Sequence, residues 1–266
     1  MFVTTTTDPL PEQIERANQL AQQFDKPFIP RNKRSIRVLM DRYAHHECLV
    51  VERKELRFLS ENQKPLFFHP SSGMLRIKRL EKGEMDGLTQ IADIQPGDRI
   101  LDATCGFASD AIVLQFAAGL SGQVIALESS AVLATIVKDG LKRYAGIDQH
   151  YLDVFRKIEV YHANYQDYLK SCADCSFDVI YFDPMFHIAL EESKHLEPLR
   201  ALANHAPLLE ESVHEACRVA KRCVILKDHQ ASPVFEQLGF EAPIRRWTSV
   251  RYGKIMTKST VEVQQE

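Results

Sequence analysis

The stretch from Asp98 to Asp110 constrains the fold more than any other part of this chain. It reads Asp-Arg-Ile-Leu-Asp-Ala-Thr-Cys-Gly-Phe-Ala-Ser-Asp. Its short apolar run predicts a buried strand that stops at Asp102. After a turn of small residues an apolar helix begins at Asp110, and Gly119 is its predicted end. Strand, turn and helix in this order predict an α/β fold of the nucleotide-binding type, which binds ligands at the carboxyl ends of its strands.

The turn itself is a poor match for a dinucleotide. Gly106 lets the backbone approach a ligand closely, but Thr104 and Ala108 lie where a G-x-G-x-x-G turn would have glycines. A pyrophosphate needs bare backbone N–H groups at a helix N-terminus, so a cofactor without phosphate fits better. S-adenosylmethionine is such a cofactor, and Asp102 and Asp110 are predicted to take its ammonium group. The alternative is an ordinary strand-to-helix turn with a capping aspartate.

Two later strands end in polar residues that suit a nucleoside. The predicted second strand, Gln123–Glu128, ends in an acid that can accept hydrogen bonds from both ribose hydroxyls. The predicted third strand, 158–164, ends at Asn164, which is placed to bond an adenine edge. The alternatives are a strand-end acid that faces solvent and an unrelated polar residue.

The strongest chemical signal follows the predicted fourth strand, Phe177–Phe182, and reads Asp183-Pro184-Met185-Phe186. An exocyclic amino group on a base is a poor nucleophile, because its lone pair is delocalised into the ring. A fixed carboxylate and the carbonyl oxygen of Pro184 can accept its two protons and aim the lone pair at a methyl group. Phe186 can stack on the base. We therefore predict Asp183, Pro184 and Phe186 as catalytic residues; the alternative is a strand-end turn with a core phenylalanine.

These motifs, in this order, resemble the class I S-adenosylmethionine-dependent methyltransferases. Leu101–Thr104, Ser109-Asp110, Leu127-Glu128, His162-Ala163 and residues 183–186 look more specifically like the RsmJ (YhiQ) family, over residues 70 to 255. That family methylates N2 of a guanine in small-subunit ribosomal RNA. It has a proline and a lysine-rich segment where His187 and Glu191-Glu192 follow here, so the resemblance implies a divergent subgroup.

The resemblance also implies which residues contact S-adenosylmethionine. The residues carried over from the family's motifs are Ser109, Asp110, Glu128, Ser129, Asn164, Tyr165 and Asp183. We add Asp102, Thr104 and Gly106 from the first turn, because they lie at the predicted ligand edge. The favoured function is methylation of the exocyclic N2 amino group of guanine in RNA. The alternatives are methylation of another amino group, on adenine or a small molecule, and a catalytically silent RNA-binding protein with a methyltransferase fold.

RNA, and ribosomal RNA in particular, is the predicted partner, although the net charge of −3 gives no global basic signature. Any RNA contact must therefore come from local clusters of cations. Three basic segments qualify, namely Lys26–Arg37, Arg76–Lys82 and Arg245–Lys254. Each of them is also consistent with an ordinary solvated surface or a protected sheet edge.

The predicted organisation is a small α+β N-terminal domain, residues 1–70, which is a candidate RNA-binding unit, and a methyltransferase domain, residues 71–266. The second domain is predicted as a doubly wound, mostly parallel, seven-strand-type Rossmann-like sheet with helices on both faces. No apolar run has the length of a membrane helix, and the N-terminus lacks the features of a signal peptide, so we expect a cytoplasmic protein. A single C-x-x-C pair, Cys172 and Cys175, lacks a second pair, so no metal is predicted.

Overall fold

The N-terminal part of the chain forms a four-stranded sheet. The computed structural model describes residues 1–61, 64–184, 206–243 and 249–257. The sheet has the order β1-β2-β3-β4, with β1 (Phe2–Thr5), β2 (Glu47–Val51), β3 (Leu56–Ser60) and β4 (Leu66–Phe67), and it is accompanied by α1 (Pro11–Gln23) and α2 (Ile36–Tyr43). Strand β1, which the sequence analysis did not predict, pairs in parallel with β2, whereas β2, β3 and β4 pair antiparallel.

A second sheet follows, with six strands in the described part of the chain. Its order is β10-β9-β8-β5-β6-β7, with β5 (Arg99–Asp102), β6 (Gln123–Glu128), β7 (Glu159–His162), β8 (Phe177–Phe182), β9 (Ala220–His229) and β10 (Val250–Met256). All neighbours are parallel except β10, which runs antiparallel to β9. The predicted fold class is confirmed, although six strands are described where a seven-strand-type sheet was predicted.

Helices cover both faces of this sheet. They are α3 (Ser71–Glu81), α4 (Gly87–Ala92), α5 (Ser109–Ala118), α6 (Ala131–Arg143), α7 (Gln149–Lys157), α8 (Tyr165–Ser171), α9 (Glu210–Val219) and α10 (Val234–Gln237). Successive strand residues alternate between two buried clusters: Ile100 belongs to one and Leu101 to the other, as do Val179 and Ile180. Because side chains alternate across a strand, this pattern shows that both faces are buried, as parallel sheets require.

The N-terminal sheet packs against helix α6, one of the helices that cover the second sheet. One hydrophobic cluster contains Val3 and Phe58 from the first sheet together with Ile112 and Val137 from α5 and α6. Helix α6 also carries Gly140, whose missing side chain makes room for the buried ring of Phe68. The predicted domain boundary near residue 70 stays a prediction. Buried residues from both sides of it belong to this one hydrophobic cluster.

Two further observations concern membrane-spanning helices and possible metal sites. No described helix has both the length and the apolar character needed to cross a bilayer. Cys172 and Cys175 are free thiols, and the described residues contain no group of three or more histidine, cysteine, aspartate or glutamate side chains that could hold a metal ion.

Candidate active site

The carboxyl ends of β5, β6 and β8 meet at one edge of the parallel sheet. Asp102, the last residue of β5, is paired in register with Ala126 of β6 on one side and Tyr181 of β8 on the other. Strands β5 and β8 are neighbours although they are not consecutive along the chain, so the order of the sheet changes between them. Ligands of open α/β sheets bind at such a point. The two turns are also joined directly, because the backbone N–H of Asp183 donates to Oγ1 of Thr104 at 2.6 Å.

Asp102 is a buried carboxyl group that contacts no cation among the described residues. Its residue is 1% exposed, and its Oδ1 accepts the backbone N–H of Thr104 at 3.1 Å. No residue in the described part of the chain donates to Oδ2 or forms an ion pair with this carboxylate. Burial raises the pKa of Asp102 well above its usual value, and the nearby charge of Asp110 raises it further. A positively charged ligand group beside Oδ2 would offset this cost.

Gly106 and Glu128 form the neighbouring part of the site. Gly106 has a φ of +52°, and a Cβ built on it would meet nothing within 4 Å, so the space beside this backbone is open. Its N–H donates to Oε2 of Glu128 at 3.1 Å, and the N–H of Ser130 donates to Oε1 at 2.8 Å. A carboxylate oxygen has two acceptor sites, so Oε2 of Glu128 can accept one hydroxyl more, whereas Oε1 also accepts the Ser129 hydroxyl. Ser129, with its hydroxyl 3.5 Å from Oε1, is exposed beside them.

These residues fit S-adenosylmethionine by the chemistry of their donors and acceptors. The cofactor is cationic and carries a ribose diol, and no phosphate. Asp102 offers a buried carboxyl group whose Oδ2 has no donor among the described residues, and Glu128 offers Oε2 as an acceptor for a ribose hydroxyl. The open turn at Gly106 lies between them.

Asp110 has a different environment from that of Asp102. It lies in the first turn of α5, is buried, and accepts hydrogen bonds from Arg76, from the Tyr181 hydroxyl at 2.9 Å and from Lys227 Nζ at 3.0 Å. Burial alone would raise the pKa of Asp110, but Lys227 and Arg76 hold it well below its usual range. Of the two acids predicted to take the cofactor's ammonium group, Asp102 is therefore the one with an unused oxygen. Ser109, the first residue of α5, is half-buried.

Asp183 follows β8 and is paired with Lys227 of β9. Lys227 Nζ lies 2.6 Å from Oδ2, and Oδ1 accepts no hydrogen bond from any described residue. The side chain is 25% exposed, and Pro184 beside it is half-buried. Burial raises the pKa of Asp183 to about 6, with Lys227 opposing this rise and Asp110 adding to it. Oδ1 of Asp183 therefore has no hydrogen-bond donor among the described residues, although the carboxyl group of Asp183 lies within hydrogen-bonding reach of Asp110.

Of the remaining predicted residues, Asn164 and Tyr165 make contacts with nearby residues of the protein. Asn164 is the N-cap residue of α8, and its Oδ1 accepts the N–H of Gln166 at 2.8 Å. Its side-chain amide has no partner within the described ranges. Tyr165 is buried, with its ring edge-on to Phe182 at 5.4 Å between centroids. Phe186, the third predicted catalytic residue, lies outside the described residues.

Sequence reasoning missed Lys227 and Arg76 as parts of this site. Arg76 was assigned to a surface basic cluster, whereas its guanidinium is paired with Asp86 at 2.8 and 3.0 Å and with Asp110. The position of Lys227 near the carboxyl end of β9 was the one available signal, because that end lies at the same edge of the sheet as Asp183.

Comparison with known proteins gives a consistent result. Residues 34–251 match the family model described as "Putative SAM-dependent methyltransferase". The chain is 36% identical over 256 residues to YpiP of Bacillus subtilis, which covers 96% of this chain and 99% of that protein. It is 28% identical over 228 residues to ribosomal RNA small subunit methyltransferase J of Coxiella burnetii, covering 82% of this chain and 83% of the relative.

A solved structure shows the same fold. The crystal structure of the SAM-dependent methyltransferase NGO1261 from Neisseria gonorrhoeae superposes with a TM-score of 0.64 at 17% identity, covering 97% of this chain and 96% of the other. The residues matched by the family model include β5 to β9 in full, with Asp102, Glu128 and Asp183 at their ends. This chain belongs to the family of S-adenosylmethionine-dependent methyltransferases, and S-adenosylmethionine is its cofactor.

Proposed function

We propose that this protein transfers a methyl group to the exocyclic N2 amino group of a guanine in RNA, with ribosomal RNA as the substrate. The observation that carries the proposal is the geometry of Asp183. Its Oδ2 is held by Lys227, and its Oδ1 has no donor among the described residues. Pro184 follows directly, and its carbonyl oxygen is a second acceptor. Two hydrogen-bond acceptors on adjacent residues suit an exocyclic amino group, which has two N–H donors.

The chemistry assigned to this chain is orientation and proton transfer. S-adenosylmethionine supplies an electrophilic methyl group on a positively charged sulfur when it is bound. Asp183 Oδ1 accepts one N–H of the target amine, and the carbonyl oxygen of Pro184 accepts the other, which directs the nitrogen lone pair at the methyl carbon. Cofactor held beside Asp102 and Glu128 would supply the methyl group for the new N–C bond, and the amine would give up one N–H proton. A carboxylate with a pKa of about 6 can take this proton and release it to water near neutral pH.

RNA is proposed as the substrate for two reasons: the name of a relative and the clusters of exposed cations in this chain. The Coxiella burnetii relative is named as a ribosomal RNA methyltransferase. In this chain the exposed cations of two predicted basic segments are Lys26, Lys33, Arg34 and Arg37, and Lys78, Arg79 and Lys82. Exposed lysines and arginines close together supply the phosphate contacts that most RNA affinity requires.

Two arginines of the predicted basic segments are engaged inside the protein. Arg76 forms the ion pairs described above, and Arg251 is buried with its guanidinium 4.4 Å from the ring centre of Phe235. Residues 245–247 of the third segment lie outside the described part of the chain. The exposed cations of the two segments before residue 83 are the described residues that support the proposed RNA contact.

The test is methyl transfer to defined RNA. Purified protein is incubated with methyl-labelled cofactor and either small ribosomal subunits or naked ribosomal RNA from a strain that lacks the gene, and the nucleosides are analysed by mass spectrometry. We expect N2-methylguanosine with the wild-type protein and none with Asp183→Asn, whose cofactor binding is checked by calorimetry. Label in another nucleoside, or only in small molecules, would replace the proposal by that substrate. Absence of label in either RNA would overturn it.

A further inference from the structure

Lys227 connects two carboxylates that belong to different elements. Its ammonium group lies 3.0 Å from Asp110 Oδ2 and 2.6 Å from Asp183 Oδ2, and its side chain is 19% exposed. Among the described residues, it is the one cation in contact with Asp183. Its other partner, Asp110, also accepts hydrogen bonds from Arg76 and the Tyr181 hydroxyl.

The charges in this cluster leave Asp183 dependent on Lys227. Arg76 forms two contacts with Asp86 and one with Asp110, so two cations, Arg76 and Lys227, face three carboxylates. Asp102 is a fourth carboxyl group nearby, and no described cation contacts it. Without Lys227, Asp183 would be a negative charge beside that of Asp110, with no described cation in contact.

We propose that Lys227, held in place by Asp110, is a positioning residue that fixes the carboxylate of Asp183 in its ionised, acceptor-only form with Oδ1 open to the target amine. This inference rests on the proposed function, in which Asp183 accepts an N–H. An ionised carboxylate only accepts hydrogen bonds, whereas a protonated one also donates, and a donor at this position would face the N–H groups of the amine.

The pH dependence of the reaction follows from the charged groups around Asp183. These groups are Lys227 on β9, Asp110 on α5, Asp102 on β5, Tyr181 on β8, Tyr252 on β10 and Arg76 on α3. Burial raises the pKa of Asp183, Lys227 lowers it, and Asp110 raises it. Loss of Lys227 therefore raises this pKa further, so that Asp183 stays protonated to higher pH. The acidic limb of the pH–rate profile must then move to higher pH.

The first experiment measures single-turnover methyl transfer against pH with cofactor saturating. We expect Lys227→Gln to move the acidic midpoint up by about 1–3 pH units, the effect of one close opposite charge, and to regain activity above the new midpoint. Lys227→Arg keeps the charge and should restore a midpoint near the wild-type value. Lys221→Gln is the matched control, because Lys221 lies on the same strand, is half exposed and pairs with Asp178 at 3.2 Å. This control should leave the profile unchanged.

A second variant keeps the inference testable if Lys227→Gln does not fold. Asp110→Asn removes a negative charge beside Asp183 but keeps a side-chain oxygen that can accept a hydrogen bond from Lys227. The acidic midpoint should then move to lower pH, opposite to the effect of Lys227→Gln. A purely structural role of the cluster predicts no such opposite signs. An unmoved midpoint in both variants, or a shift in the same direction, would overturn the inference.

The last measurement needs no RNA substrate. Carboxyl ¹³C resonances of labelled aspartates are titrated in the wild-type protein, Lys227→Gln and Asp110→Asn, with Asp183→Asn used to assign the Asp183 signal. We expect its midpoint to rise in Lys227→Gln and to fall in Asp110→Asn. If these shifts occur and no RNA is methylated, the proposed function fails while the ionic role of Lys227 stands. If RNA is methylated and the Asp183 midpoint is the same in all three proteins, the inference about Lys227 is wrong.

Discussion

Substitution of Gly140 by alanine tests how the N-terminal sheet is joined to the rest of the protein. A Cβ at this position would lie under 3.0 Å from three atoms of Phe68, a separation that real Cβ atoms essentially never show. Phe68 is 4% exposed, and its ring packs edge-on against Tyr144 at 6.0 Å and Phe155 at 6.4 Å between centroids. The ring therefore cannot turn aside without disturbing two other aromatic side chains.

The expected loss follows from two opposing effects. Overpacking of a well-filled core costs about 1–3 kcal/mol. The upper part of that range applies here because the added Cβ is fixed to the backbone and the ring of Phe68 is enclosed by other side chains. Alanine in place of glycine within a helix contributes about 1 kcal/mol in the other direction. We expect Gly140→Ala to lower the free energy of unfolding by about 2 kcal/mol and the Tm by roughly 4–8 °C.

Urea denaturation and thermal melts of the purified protein measure this effect. The matched control compares Lys138→Gly with Lys138→Ala, because Lys138 is exposed on the same helix and reports the helix-propensity contribution alone. In that pair alanine should be the more stable variant, whereas at position 140 glycine should be. A Gly140→Ala protein that is as stable as the wild type, or more stable, would refute the packing argument.

Three further predictions concern the site and the RNA surface. Asp183→Ala should lower the single-turnover rate by about 10²–10³-fold at saturating cofactor with its melting curve unchanged, because one preorganised acceptor is removed; a wild-type rate would mean that Asp183 is only a cofactor contact. Glu128→Ala should reduce the rise in Tm that S-adenosylmethionine causes, and calorimetry that detects no cofactor binding to the wild type would contradict the assigned site. Replacing Arg34 and Arg37 by glutamine should weaken RNA binding and make its salt dependence shallower, by about 0.7 in slope for each phosphate that the protein no longer neutralises; an unchanged slope would exclude this surface.

The sequence alone determined the parts of the site that lie along single strands and turns. The apolar run before Asp102, the small-residue turn at Gly106 and the acid at the end of Gln123–Glu128 are local patterns, and each predicts a strand end without knowledge of its neighbours. The predicted fourth strand, Phe177–Phe182, has the same limits in the structure. Parallel strands place their carboxyl ends at one edge, so these local signals were enough to predict which acids share the ligand edge.

Sequence patterns were less informative where a strand pairs with a distant part of the chain, and at the boundary between a strand and the next helix. Strand β1 pairs with β2, whose residues lie more than 40 positions further along the chain, and nothing in the run of threonines indicates this partner. The predicted third strand was extended to Asn164, whereas β7 ends at His162 and Asn164 caps the next helix. A cap and a strand end use the same polar residue types, so only the backbone geometry distinguishes them.

Only the tertiary structure decided how the charges of the site are paired. Arg76 and Asp110 are 34 positions apart, and Lys227 is 117 positions from Asp110 and 44 from Asp183. In the sequence Arg76 is one of several cations in a basic segment, and Asp110 and Asp102 are two similar acids beside one turn. Which acid receives a cation depends on the order of the strands and on the helices packed over them, because the interaction between charges depends on their separation in space and on burial rather than on their position in the chain.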